Sequence, residues 1–90
     1  MDKAIITVVG RDAVGIIAKT SAYLARNGIN ILDISQTVVG GFFNMMMIVD
    51  AAECEKPFGR VAQDLAKLGA GMGLEIRCQK SEIFERMHRV

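Results

Sequence analysis

GRDAVGIIAKTSAYLARNGINILDISQTV, Gly10 to Val38, decides the fold. Gly10-Arg11-Asp12-Ala13 breaks whatever precedes it. Val14, Ile17, Ala18, Ser21, Leu24 and Ala25 then recur at spacings of three and four, with Lys19, Thr20, Tyr23 and Arg26 between them, so the spacing predicts an amphipathic helix. Asn27-Gly28 is a stop signal, because glycine tolerates the left-handed conformation that ends helices. Asn30 to Val39 alternates, Ile31, Asp33, Ser35 and Thr37 against Leu32, Ile34, Gln36 and Val38, which predicts a half-exposed strand.

Upstream, Lys3 to Val9 (KAIITVV) is β-branched and too short for a helix, so it reads as a strand. Downstream, Gly40-Gly41 signals a hairpin turn. Phe42 to Ala51 (FFNMMMIVDA) follows it, apolar on both parities like a buried central strand. Ala52 to Lys56 is a polar connector, and Pro57 suits the first turn of a helix. Phe58, Val61, Ala62, Leu65 and Leu68 form its apolar stripe, and Gly69, Gly71 and Gly73 are expected to end it. Leu74 to Lys80 alternates again.

The order β-α-β-β-α-β predicts an α+β, ferredoxin-like sandwich: a four-stranded antiparallel sheet in order 4-1-3-2 with two helices on one face. The segments apolar on both parities fall at the central positions, and the alternating ones fall at the edges. Two helices cover one face only. Whichever parity of the first and third strands meets them, large apolar side chains face the other way and call for a cover. One candidate is a second copy of the chain. The other is the tail, residues 81–90, where Ser81 suits a cap and Ile83, Phe84, Met87 and Val90 form one stripe of a short C-terminal helix. The expected division is therefore a domain over 1–80 and an amphipathic tail over 81–90.

Composition narrows the function. Ninety residues, 51% hydrophobic and 23% charged, make one globular domain. A net charge of +1 without a basic stripe argues against nucleic acid. No apolar run approaches the roughly 20 residues that span a bilayer. Two cysteines too far apart for a CxxC pair suit a reducing cytoplasm. With one histidine and no metal-ligand spacing, neither a metal nor a cofactor is expected. The Met45-Met46-Met47 run reads as adaptable core.

The segment from Gly10 to Val38 resembles the ACT domain family, whose pattern is a strand, a D-x-P-G-[IL] type of loop, a helix closing on glycine, then N-I and a strand. Asp12, Gly15, Ile16, Gly28, Asn30 and Ile31 are the corresponding residues. Val14 stands where the family has proline. Asp33 to Thr37 and Phe84 to His88 look closest to stand-alone, single-domain bacterial members, including relatives of the glycine cleavage system repressor. The resemblance implies a regulatory, non-catalytic protein that binds an amino acid or related effector at a subunit junction. Regulation by a free-standing domain requires a target protein, and the apolar sheet face, with both the tail and a second copy expected to contribute to its cover, points to a homodimer. The implied site is Asp12, Ala13, Val14, Gly15 and Ile16 in the loop, with Asn30 and Ile31 at the start of the second strand.

Physical chemistry gives that loop independent sense. The first amides of a helix lack partners and favour a carboxylate, and Gly15 permits close approach of a ligand. Asp12 and the Asn30 side-chain oxygen can accept from an ammonium group. Asp12 is equally suited to cap the helix. In this topology Asp12 and Asn30 fall at opposite ends of the sheet, so a neighbouring subunit is expected to complete the site. The alternatives are an interaction module without a ligand and an acylphosphatase-like hydrolase built on Gly10-Arg11 and Val14-Gly15. The second lacks the deep arginine that such chemistry requires.

Overall fold

The computed structural model describes residues 3–81. Its elements are β1 (Lys3–Arg11), α1 (Ile16–Arg26), β2 (Asn30–Val39), β3 (Phe42–Asp50), α2 (Phe58–Ala70) and β4 (Leu74–Lys80). They form one four-stranded sheet in the order β2-β3-β1-β4, with antiparallel pairing throughout. This is the expected ferredoxin-like topology. The short C-terminal helix expected of the tail, residues 81–90, lies beyond Ser81 outside the described residues.

The core lies between the helices and one face of the sheet. Ala4, Ile6 and Val8 of β1 meet Phe43, Met45, Met47 and Val49 of β3 in the same buried cluster, closed by Leu24, Val61 and Leu65 from the helices. Strand alternation places Ile5, Thr7 and Val9, with Phe42, Asn44, Met46 and Ile48, on the other face.

Two local devices set the helices on the sheet. After α1 the chain closes in a Schellman arrangement: the Ile29 N–H donates to the Leu24 carbonyl at 2.9 Å and the Gly28 N–H to the Ala25 carbonyl at 3.2 Å. Gly28 sits at φ +69°, where a side chain is strained. Gly69 was expected to end the second helix. Instead α2 runs through it, and Gly69 is the point of closest packing. A Cβ there would lie 2.7 Å from Ile76 Cγ1 and 2.9 Å from the Leu74 carbonyl oxygen, so only glycine lets α2 come down onto β4.

Of the stripe expected of α1, only Leu24 is buried. The buried residues are Ile16, Thr20, Tyr23 and Leu24, whereas Ile17, Ala18 and Ala25 are exposed. The helix has rotated toward two polar side chains that find partners. The Thr20 hydroxyl donates to the Ile16 carbonyl at 2.7 Å, and the Tyr23 hydroxyl donates to Asp64 Oδ2 on α2 at 2.6 Å. A hydroxyl with a partner costs little to bury. The many alanines of this segment let two stripes fit the same spacing.

The two-residue turn between β2 and β3 has positive φ at both Gly40 (59°) and Gly41 (81°), the hairpin geometry only glycine-like residues adopt freely. Near its start β2 carries an irregularity between Ile31 and Asp33 that shifts its register against β3.

Candidate ligand-binding site

The loop between β1 and α1 is held by its backbone. The Asp12 N–H donates to the Gly41 carbonyl at 2.9 Å, which ties the loop to the β2–β3 hairpin. Gly15 at φ 89°, ψ 6° turns the chain into α1, and the first helical bond runs from the Lys19 N–H to its carbonyl at 2.9 Å. No side chain caps this helix. Asp12 is therefore not the N-cap; its carboxylate is exposed, three residues ahead of the capping position. The first-turn amides face the loop without a side-chain acceptor, and the helix dipole gives them partial positive charge.

The remaining loop residues differ in burial. Ala13 is exposed and Gly15 half-buried, while Val14 is 100% exposed, an apolar side chain wholly in water. Ile16 is buried at 2% and anchors α1 to the core. Asp12, Ala13, Val14, Gly15 and Ile16 are thus one loop and one helix start.

Asn30 and Ile31 are elsewhere. Asn30 is opposite Asp50, and Asp50 is opposite Lys3, whereas the loop begins after Arg11, opposite Phe42. Eight residue steps of strand, about 27 Å, separate the two levels. Asn30 is exposed, and Ile31 is half-buried against the core. One chain does not bring Asp12 and Asn30 together.

A polar cluster on the helix layer was not anticipated. Asp64 accepts from the Tyr23 hydroxyl, from Lys56 Nζ at 3.0 Å and from Arg60 Nε at 3.1 Å. Lys56 also lies over the Tyr23 ring, 5.3 Å from its centroid. Hydrogen bonds from Tyr23, then Lys56 and Arg60, hold the Asp64 carboxyl far below its usual range. Burial, then the hydrogen bond and charge of Asp64, push the Tyr23 phenol far above its own. Every member has a partner inside the cluster, so it reads as a clamp between α1 and α2. The i, i+4 spacing of Arg60 and Asp64 was its only signal in the sequence. Burial alone pushes the Cys78 thiol up to about 11, and both cysteines are free. Among the described residues no cluster of three His, Cys, Asp or Glu could hold a metal ion, and no helix is long and apolar enough to cross a membrane.

These features define a small α+β domain of ferredoxin-like topology whose first loop, turned by glycine, opens onto a helix N-terminus. The ACT domain model matches residues 2–79, and the chain belongs to the ACT domain family. It is 57% identical to a UPF0237 protein of Bifidobacterium longum over 90 residues, the full length of both chains. An ACT domain protein from Streptococcus pneumoniae is 42% identical with a TM-score of 0.82, covering 93% of this chain and 94% of its own. A protein described as a glycine cleavage system transcriptional repressor is 26% identical with a TM-score of 0.76; the match covers 89% of this chain and 45% of that one. ACT domains are typically regulatory, ligand-binding modules; the family is the one that the segment from Gly10 to Val38 resembles, and the single-domain relatives are of the kind that Asp33 to Thr37 and Phe84 to His88 pointed to.

Proposed function

We propose that this chain is a non-catalytic cytoplasmic regulator that binds an amino acid or related zwitterion between two copies of itself and passes the signal to a target protein. The observation that carries the reading is β2. It is exposed along nearly its whole length, on both faces and at its free edge. Leu32 (47%), Ile34 (43%), Val38 (53%) and Val39 (70%) stand in water there. Ile34 and Val38 share the helix side with Met47 and Phe43, yet α1 scarcely reaches them. A long apolar edge without a guarding Lys or Pro is a template for pairing. The other edge, β4, carries the Glu75–Arg77 ion pair and Lys80.

Two β2 edges paired antiparallel about a two-fold axis make one continuous eight-stranded sheet. The pairing sets the Asn30 end of one copy beside the Val39 end of the other. The Gly40-Gly41 turn lies there, and Asp12 is bonded to Gly41. The ligand carboxylate then meets the open amides of α1. The ammonium group sits between Asp12 and the second copy's Asn30 oxygen. The isologous contact yields two such sites. Two free thiols suit the reducing cytoplasm.

A thermal-shift screen of the amino acids tests the reading. A ligand at a hundredfold excess over its Kd adds about 2.7 kcal/mol of stability, which raises Tm by roughly 10–20 °C in a domain this size. Asp12→Ala and Asn30→Ala, both at exposed positions, are expected to abolish the shift and leave the unliganded Tm unchanged. Absence of a shift from every amino acid would favour an interaction module without a ligand.

A further inference from the structure

The setting of α1 on the sheet gives the ligand side chain a direction. Tyr23 marks the flank of α1 that faces α2, because its hydroxyl bonds Asp64 there. At 3.6 residues per turn Lys19 and Arg26 lie further round on that same side, and Ile17 and Ser21 lie on the opposite one. α2 is seated on β4, at one edge of the sheet, so the Ile17 flank looks toward β2 at the other edge.

The strand side meets it with apolar groups. Ile34 and Val38 stand opposite Met47 and Phe43, both buried under the helices, and so point to the helix side. With Ile17, itself 38% exposed, they make an open apolar strip between α1 and β2. The strip begins where the ligand carboxylate is anchored. Ile17 is the second residue of α1, and Val38 comes two residues before the Gly40-Gly41 turn whose Gly41 carbonyl holds Asp12.

Charge decides what can lie there. The polar side chains along the strip, Ser21 and Gln36, are neutral, and the cations of α1 are on its other flank. An ionised side chain would lose hydration there without gaining a counter-charge. An apolar one leaves water at no such cost, and each methylene that it buries tightens binding about fourfold. A charged side chain has a different place to go. A hollow of about 300 Å³ at the end of α1 is lined by Arg26, Glu53, Glu55 and Lys56, and Lys56 is already committed to Asp64.

We propose that the effector is an amino acid with an uncharged, apolar side chain, which lies along the strip between Ile17 and Val38; this rests on the site proposed above. Calorimetric titration of glycine, alanine, 2-aminobutyrate, norvaline, leucine, aspartate and lysine tests it. Kd is expected to fall about fourfold at each methylene added from glycine to norvaline, and leucine is expected to bind about tenfold or more tighter than aspartate or lysine. Ile17→Ser, at an exposed position, is expected to level the series with an unchanged far-UV circular dichroism spectrum. Lys19→Ser, on the other flank, is expected to leave the series as it is. Three results overturn the strip and leave the junction site standing: affinity independent of side-chain length, a series that survives Ile17→Ser, or aspartate or lysine binding tighter than leucine, which would send the side chain to the charged hollow instead. Absence of binding by all seven overturns the strip, and absence across every amino acid overturns the junction site with it.

Discussion

The residue that carries most consequence in the helix layer is Tyr23. Its spacing put it on the polar side of α1, and the structure buries it, because Asp64 across the layer accepts its hydroxyl proton in a hydrogen bond. Tyr23→Phe keeps the ring and removes that bond. The expected result is a Tm lower by roughly 5 °C at pH 7, read by circular dichroism. The pH dependence follows from the two shifts. Asp64 is depressed, so its contribution is full above the unfolded carboxyl's range near pH 4 and is lost as pH falls below it. Tyr23 is raised, so its contribution is full below about pH 10 and is lost as pH rises above it. The difference in Tm between wild type and Tyr23→Phe should therefore be largest between about pH 5 and 9 and narrow at both extremes. Cys78 supplies a second test. A thiol pushed up to about 11 by burial has little thiolate at pH 8, so it should alkylate at least tenfold more slowly in the folded protein than after unfolding in urea.

Among the elements, α2 packs closely on β4, and Gly69 is the point of closest approach. Glycine within a helix costs about 1 kcal/mol against alanine, so propensity alone predicts that Gly69→Ala stabilises. The geometry predicts the reverse. The new methyl would strike the Leu74 carbonyl oxygen and the Ile76 side chain, and the oxygen belongs to backbone that cannot swing aside. Overpacking of this kind costs typically 1–3 kcal/mol. A net loss of about 1 kcal/mol or more in urea unfolding, with an unchanged m value, is the expected outcome. Gly59 lies on the same helix, and a methyl added there would meet nothing within 4 Å, so Gly59→Ala should stabilise by a few tenths to about 1 kcal/mol. β2 behaves as the opposite kind of element. Among the described residues no strand pairs with its outer edge and α1 touches it only slightly, and its alternation was read as half-exposed when in fact both sides meet solvent. Alternation reports which side chains share a face; it carries no information on whether a helix reaches far enough to cover that face.

For the whole molecule, the proposed function makes the separation of Asp12 from Asn30 the link between ligand binding and assembly. If one chain held both, ligand affinity would be independent of protein concentration. With the site shared between copies, ligand binding and pairing are coupled, and each must strengthen the other. Diluting the protein below its pairing constant should weaken the thermal shift, and a saturating effector should raise the mass measured at the same dilution. This separates a junction site from a pocket within one chain.

Sequence by itself determined the order and kind of every described element and the strand order of the sheet. The reason is that period-two and period-3.6 patterns, glycine stops and the two-sided apolarity of β1 and β3 are all local or additive signals. It also determined the loop Asp12 to Gly15, since glycine geometry is a property of the backbone at one position. The rotation of α1, the Tyr23–Asp64 clamp, the glycine seat of α2 on β4 and the bare flank of β2 were decided only by the tertiary structure. Each depends on a partner far away in the chain. Whether a hydroxyl is cheap to bury, or a strand needs a neighbour, is settled by what the rest of the fold brings within a few ångströms.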